Sequence, residues 1–135
     1  MSGKPFLDTN ILIYAFTDDP RNEVARFLLA AGGVIGVQTL NEFVAVARRK
    51  GARTWEQVNE ALAAIRILCP SIVPLTKDLH EAALRIAERH GYHIFDSLII
   101  AAALEAKSKI LYSEDMHDGQ VIDGLTIRNP FLDKQ

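Results

Sequence analysis

Four carboxylates stand where this chain changes from one kind of local pattern to another. Asp8 closes the short apolar run PFLD, Glu42 lies in QTLNEF, Asp96 opens FDSLIIAAALEAK, and Asp115 falls in SEDMHDG. Each has a structural use of its own. Asp8 before Thr9 and Asn10 suits an Asx-turn or a helix N-cap, and Glu42 suits the third helical position of a capping box opened by Thr39. Asp96 suits the positive end of a helix dipole and Asp115 suits a turn. Together they point elsewhere, because clustered carboxylates repel and at least one pKa must rise unless a cation joins them. Oxygen-only donors favour Mg²⁺ or Mn²⁺. Nothing competes for zinc: Cys69 is alone, and His80, His90, His93 and His117 form neither a CxxC nor an HExxH pattern.

The elements that must position these acids alternate short apolar runs with longer stretches of helical period, which reads as α/β. The expected strands are PFLD, GVIGV (33–37), IVPL (72–75), KILYS (109–113) and LTIRN (125–129). Helix starts are marked by Asp19-Pro20 and by the capping boxes Thr39-x-x-Glu42 and Thr54-x-x-Gln57, and Gly32, Gly51 and Gly91 suit helix ends. A further helix is expected from Thr76 or Lys77 to His90. The Asp96 helix is apolar nearly all round and should be the central buried one. Crossover helices imply a parallel sheet, whose ligands bind beyond the carboxyl ends of its strands. Three of the four acids belong at that edge.

The chain has 135 residues, enough for one domain with one substantial core. Its net charge of −2 gives no global basic footprint, so phosphate binding must be local or metal-assisted. A lone cysteine fits a reducing, cytoplasmic setting. The longest strictly apolar run, LIIAAAL, is far too short to span a bilayer, and no membrane role is expected.

FLDTNILIYAF, QTLNEF, HIFDSLIIAAAL and LYSEDMHDGQ resemble, in order and over essentially the whole chain, the four acidic motifs of PIN-domain ribonucleases, particularly the VapC-like toxins. The resemblance implies a single PIN-like nuclease domain over residues 1–135, with a central mostly parallel sheet flanked by helices. It implies that Asp8, Glu42, Asp96 and Asp115 hold one or two divalent ions, with Asn10 and Ser113 as polar support. It further implies an RNA substrate, a small antitoxin as partner and a homodimer. Glu114 and Asp118 stand close enough to Asp115 to compete for the fourth place; Asp118, beside Gly119, suits a turn.

In that reading RNA is hydrolysed by water, leaving 5′-phosphate and 3′-hydroxyl ends. The basic run Arg48, Arg49, Lys50 and Arg53 either tracks phosphates or simply favours a helix C-terminus. His93 either shuttles a proton or flanks its helix, and Trp55 and Tyr92 read as packing residues. Two rivals remain. A haloacid-dehalogenase-like phosphatase would want an aspartate where this chain has Asn10, and a catalytically silent PIN-like binding module would not need all four acids.

Overall fold

A strand followed by a helix rejoins its sheet by crossing over, which makes the new strand parallel to the old one. This chain takes that step three times. The structure, a computed structural model, describes residues 3–132. Its elements are β1 (Phe6–Leu7), α1 (Thr9–Ala15), α2 (Asn22–Ala31), β2 (Val34–Gly36), α3 (Val37–Arg49), α4 (Trp55–Leu68), β3 (Ser71–Val73), α5 (Lys77–His90), α6 (Ile94–Glu105), β4 (Ile110–Tyr112), β5 (Val121–Ile122) and β6 (Leu125–Arg128). The strands lie in the order β3-β2-β1-β4-β6-β5, parallel throughout except for the closing β5–β6 hairpin. The fold is therefore α/β with a mostly parallel sheet, as expected.

The order reverses at β1. From there the chain moves outward to β2 and β3, then returns to β4 on the other side, leaving a crevice beyond the carboxyl end of β1. Successive strand residues face opposite sides of the sheet, and β1 serves both cores. Phe6 packs with the α5 and α6 side chains, Leu7 with those of α1 to α4. Residues Ser97 to Ala103 of α6 are all buried, which explains why that helix shows no polar face.

Several boundaries differ from the sequence reading. Helix α3 begins at Val37, so Thr39 is its third residue rather than its cap, and the Thr39 hydroxyl accepts from the Gly36 N–H at 3.1 Å. That frees Glu42 from capping. Helix α2 starts at Asn22, not at Pro20, because the Asp19 carboxylate is engaged by the N–H and guanidinium of Arg21. Neither α1 nor β5 was foreseen. The strand expected over 72–75 ends at Val73, since Pro74 has no N–H to give a ladder; Pro70 stands at its other end, so edge strand β3 is bracketed by prolines. Gly91 ends α5 in the left-handed conformation (φ 78°), but near Gly51 it is Ala52 that takes positive φ.

The Thr54 box forms as expected, with reciprocal bonds of 3.1 Å and 2.9 Å between Thr54 and Gln57. Replacing Thr54 by Ala should cost about 1 kcal/mol, read as a lower urea midpoint at unchanged slope.

Candidate active site

The first turn of α1 assembles the site. Asp8 follows β1 directly and caps α1, its Oδ1 accepting from the Thr9 N–H at 2.6 Å. The next two residues each reach another acid: Thr9 Oγ1 donates to Glu42 Oε1 at 2.8 Å, and Asn10 Nδ2 donates to Asp115 Oδ2 at 2.6 Å. Gln38, one turn before Glu42 on α3, holds the second oxygen of that carboxylate at 2.9 Å. Buried Ser113, just after β4, donates to Asp8 Oδ2 at 2.8 Å and receives the Asp115 N–H at 3.3 Å. One hydroxyl thus joins the ends of β1 and β4, the two strands flanking the crevice.

Asp96 arrives from α6. That helix runs into β4 through a short connection, so its first turn lies at the opposite, carboxyl edge. Asp8, Glu42, Asp96 and Asp115 line one cleft of about 340 Å³, together with Asn10, Arg49 and His93. His93 caps α6, its Nδ1 accepting from the Phe95 N–H at 3.2 Å.

The electrostatics are strained in one direction. Burial drives the Asp8 carboxyl up to about 7; the bonds from Ser113 and the Thr9 N–H pull it back, and the charges of Asp96 and Glu42 add to the rise. Asp96 is raised too, first by burial and then by Asp115 and Glu42, with His93 opposing. Among the described residues no ion pair reaches any of the four acids. Nor do three His, Cys, Asp or Glu side chains there close on a single point as a metal would require. Asp8, Glu42 and Asp115 are each anchored by hydrogen bonds of their own. The donor set still fits a hard divalent cation: it is all oxygen, it is uncompensated, and it contains a buried carboxyl whose charge is costly without one.

The other acids of the fourth motif are engaged elsewhere. Glu114 accepts from the Tyr14 hydroxyl at 2.5 Å and from Arg21 at 2.7 Å, and Asp118 accepts from the Asn129 N–H at 2.7 Å. The Arg21 guanidinium also lies over the Tyr14 ring, 4.0 Å from its centre. The basic run disperses. Arg49 lines the acidic cleft, whereas Arg48 lies over Trp55 and Arg53 donates to the Phe16 carbonyl oxygen. Lys50 and Arg53 line a separate, mostly apolar cleft. Sequence reasoning missed Thr9 and Gln38 as supports of Glu42. Thr9 sits between two singled-out residues, which was its available signal; Gln38, one turn before Glu42, becomes legible only once α3 is known to start at Val37.

The chain matches the family model described as PIN domain over residues 6–117. No curated protein matches it in sequence. Among solved structures it is similar to a toxin–antitoxin complex from Klebsiella pneumoniae, at 20% identity and TM-score 0.72, covering 94% of this chain and 98% of that one. It is similar to VapC20 of Mycobacterium tuberculosis, described as a sarcin–ricin loop cleaving toxin, at 22% identity and TM-score 0.66 over 82% and 88% of the two chains. It is also similar to VapBC2 of Rickettsia felis bound to a DNA fragment from its promoter, at 20% identity and TM-score 0.64 over 92% and 96%. At these identities the likeness is one of fold.

Proposed function

Because the chain belongs to the PIN-domain family, we propose that it is a divalent-metal-dependent endoribonuclease and the toxin of a toxin–antitoxin pair. The observation that carries this reading is the cleft at the sheet's reversal point, which four carboxylates line with no cation paired to them among the described residues. Asp8, Glu42, Asp96 and Asp115 are the ligands; Asn10 and Ser113, with Thr9 and Gln38, are their supports. A bound Mg²⁺ or Mn²⁺ supplies an acidified water and neutralises charge building on the phosphate oxygens.

The chain's own part is positional. The Thr9 N–H and Ser113 hydroxyl favour the ionised form of Asp8, which burial opposes. Thr9 and Gln38 fix both oxygens of Glu42, and Asn10 aims Asp115. Arg49, the one Lys or Arg lining the cleft among the described residues, faces the phosphate. The toxin role rests on the similar structures being toxins or toxin–antitoxin complexes. The same reading makes the protein a cytoplasmic homodimer with a single nuclease domain over 1–135 and a small antitoxin as inhibitor. Among the described residues no helix is long and apolar enough to cross a membrane.

Purified protein should cut RNA with Mg²⁺ or Mn²⁺, stop in chelator, and leave 5′-phosphate ends that accept no further kinase labelling without phosphatase. Cleavage that continues in chelator and leaves 2′,3′-cyclic phosphates would overturn the reading, since that chemistry uses the RNA's own hydroxyl with acid and base side chains.

A further inference from the structure

Three depressions of the surface adjoin one another through two shared residues. Asp115 lines the acidic cleft and also a polar depression of about 450 Å³ shared with His90, His117 and Gln120. His90 belongs in turn to a third depression of about 230 Å³, with Arg85 and Arg89 on its rim and buried Ile86 and Ile122 beneath. The wall between is built, not loose: the Tyr92 hydroxyl donates to Gln120 Oε1 at 2.6 Å and accepts from the His117 N–H at 3.2 Å. Arg85 and Arg89 are four residues apart on α5, so they share a face. Both are exposed, and neither joins an ion pair among the described residues; Asp123 is the acid on that rim.

The acidic cleft has a second neighbour, reached past Ile13 and Val46, and its character is opposite. Tyr14, Phe16 and Phe43 make it mostly apolar, Asp18 and Asp19 lie on it, and Arg53 there is bonded to the Phe16 carbonyl oxygen. Lys50 is the one cation there not bonded to the backbone among the described residues, and it faces Asp18 and Asp19, so a polyanion leaving the scissile position gains little on that side. On the α5 side it meets two guanidinium groups in no ion pair among the described residues and two imidazoles, in depressions that adjoin at Asp115 and His90, with Glu81 and Glu88 beside Arg85 on its far side.

We propose that the RNA strand leaves the acidic cleft over Asp115, passes the wall formed by His90 and His117, and ends against Arg85 and Arg89 of α5. This assignment rests on the endoribonuclease reading above and moves the phosphate track away from the basic run 48–53. Each phosphate contact on a single strand adds about 0.7 to the slope of log affinity against log salt, so removing both arginines should lower that slope by about 1.4.

The test compares the parent, the double variant Arg85→Gln/Arg89→Gln and a control double variant Arg48→Gln/Lys50→Gln. A short fluorescein-labelled single-stranded RNA is titrated by anisotropy in chelator across a range of salt, and ribosomal RNA cleavage is followed in Mg²⁺ at low and saturating RNA. The α5 variant should bind about tenfold more weakly, with the shallower slope, and keep its cleavage rate at saturating RNA. The control should bind as the parent does. An α5 variant with parental affinity and slope, or a control that alone loses binding, overturns the track while leaving the nuclease reading intact. A parent that neither binds nor cuts RNA overturns both.

Discussion

Asp8→Asn is expected to lower metal-dependent RNA cleavage at least about 100-fold while leaving the fold in place. Changes to groups that merely orient metal ligands cost roughly 10–100-fold, and Asp8 is assigned as a ligand itself. The substitution is close to neutral for local structure. Asn caps a helix as well as Asp does, so its side-chain oxygen can still accept from the Thr9 N–H. Its amide can donate to Ser113 Oγ, which then turns its own proton elsewhere. Only the charge is lost. If Asp8 served α1 alone, cleavage would survive, and a variant with parental activity at parental Mg²⁺ concentration would return Asp8 to the cap.

The second large effect is on stability without metal. The Asp8 carboxyl is raised from 3.8 to about 7 in the folded protein, so between those values the folded chain holds a proton that the unfolded chain has released. Stability contributed by this proton is fully present below pH 3.8 and is lost as pH rises through about 7. The cost at neutral pH is about 4 kcal/mol, since every tenfold change in proton affinity on folding is worth about 1.4 kcal/mol. Asp8→Asn has no such proton to lose. Urea midpoints of the chelated proteins should therefore diverge from pH 4 to pH 7, the variant becoming the more stable at neutral pH. Excess Mg²⁺ should restore the parent and do little for the variant, and binding near pH 6 should release a proton from the parent. Parallel pH profiles for parent and variant would show that burial does not hold a proton on Asp8 at neutral pH.

The large features of this molecule were legible because they rest on patterns that the whole fold respects. Strand, then helix, then strand forces parallel pairing, and parallel pairing sends Asp8 and Asp115 to the carboxyl edge. What escaped the sequence was local competition. Thr39-x-x-Glu42 has the spacing of a capping box, but the chain starts α3 earlier, with Gly36 as its cap, and thereby turns Glu42 into the cleft. Asp19-Pro20 has the look of a helix start, yet the adjacent Arg21 captures the carboxylate first. Helix α1 was missed because ILIYAF is β-branched, aromatic and short, although the Asp8 cap ahead of it was visible. The dispersal of Arg48, Arg49, Lys50 and Arg53 could not be read from composition. Arg48 and Arg49 end α3 and point about 100° apart, and beyond Lys50 the chain leaves the helix, with Ala52 at positive φ, so the run makes no single basic face.

The prolines that bracket β3 bear on how the protein behaves when crowded. An edge strand offers unpaired N–H and C=O groups to any other chain, and a long flat edge is a template for fibrils. Here the β3 edge is three residues long and stops at Pro70 and Pro74, neither of which can donate to a ladder. The opposite edge is a two-residue antiparallel strand, β5. Neither gives an incoming strand enough pairing to take hold, so the sheet is closed to templated growth at both ends. Association is left to side-chain surfaces on the helices, where it can be specific and reversible.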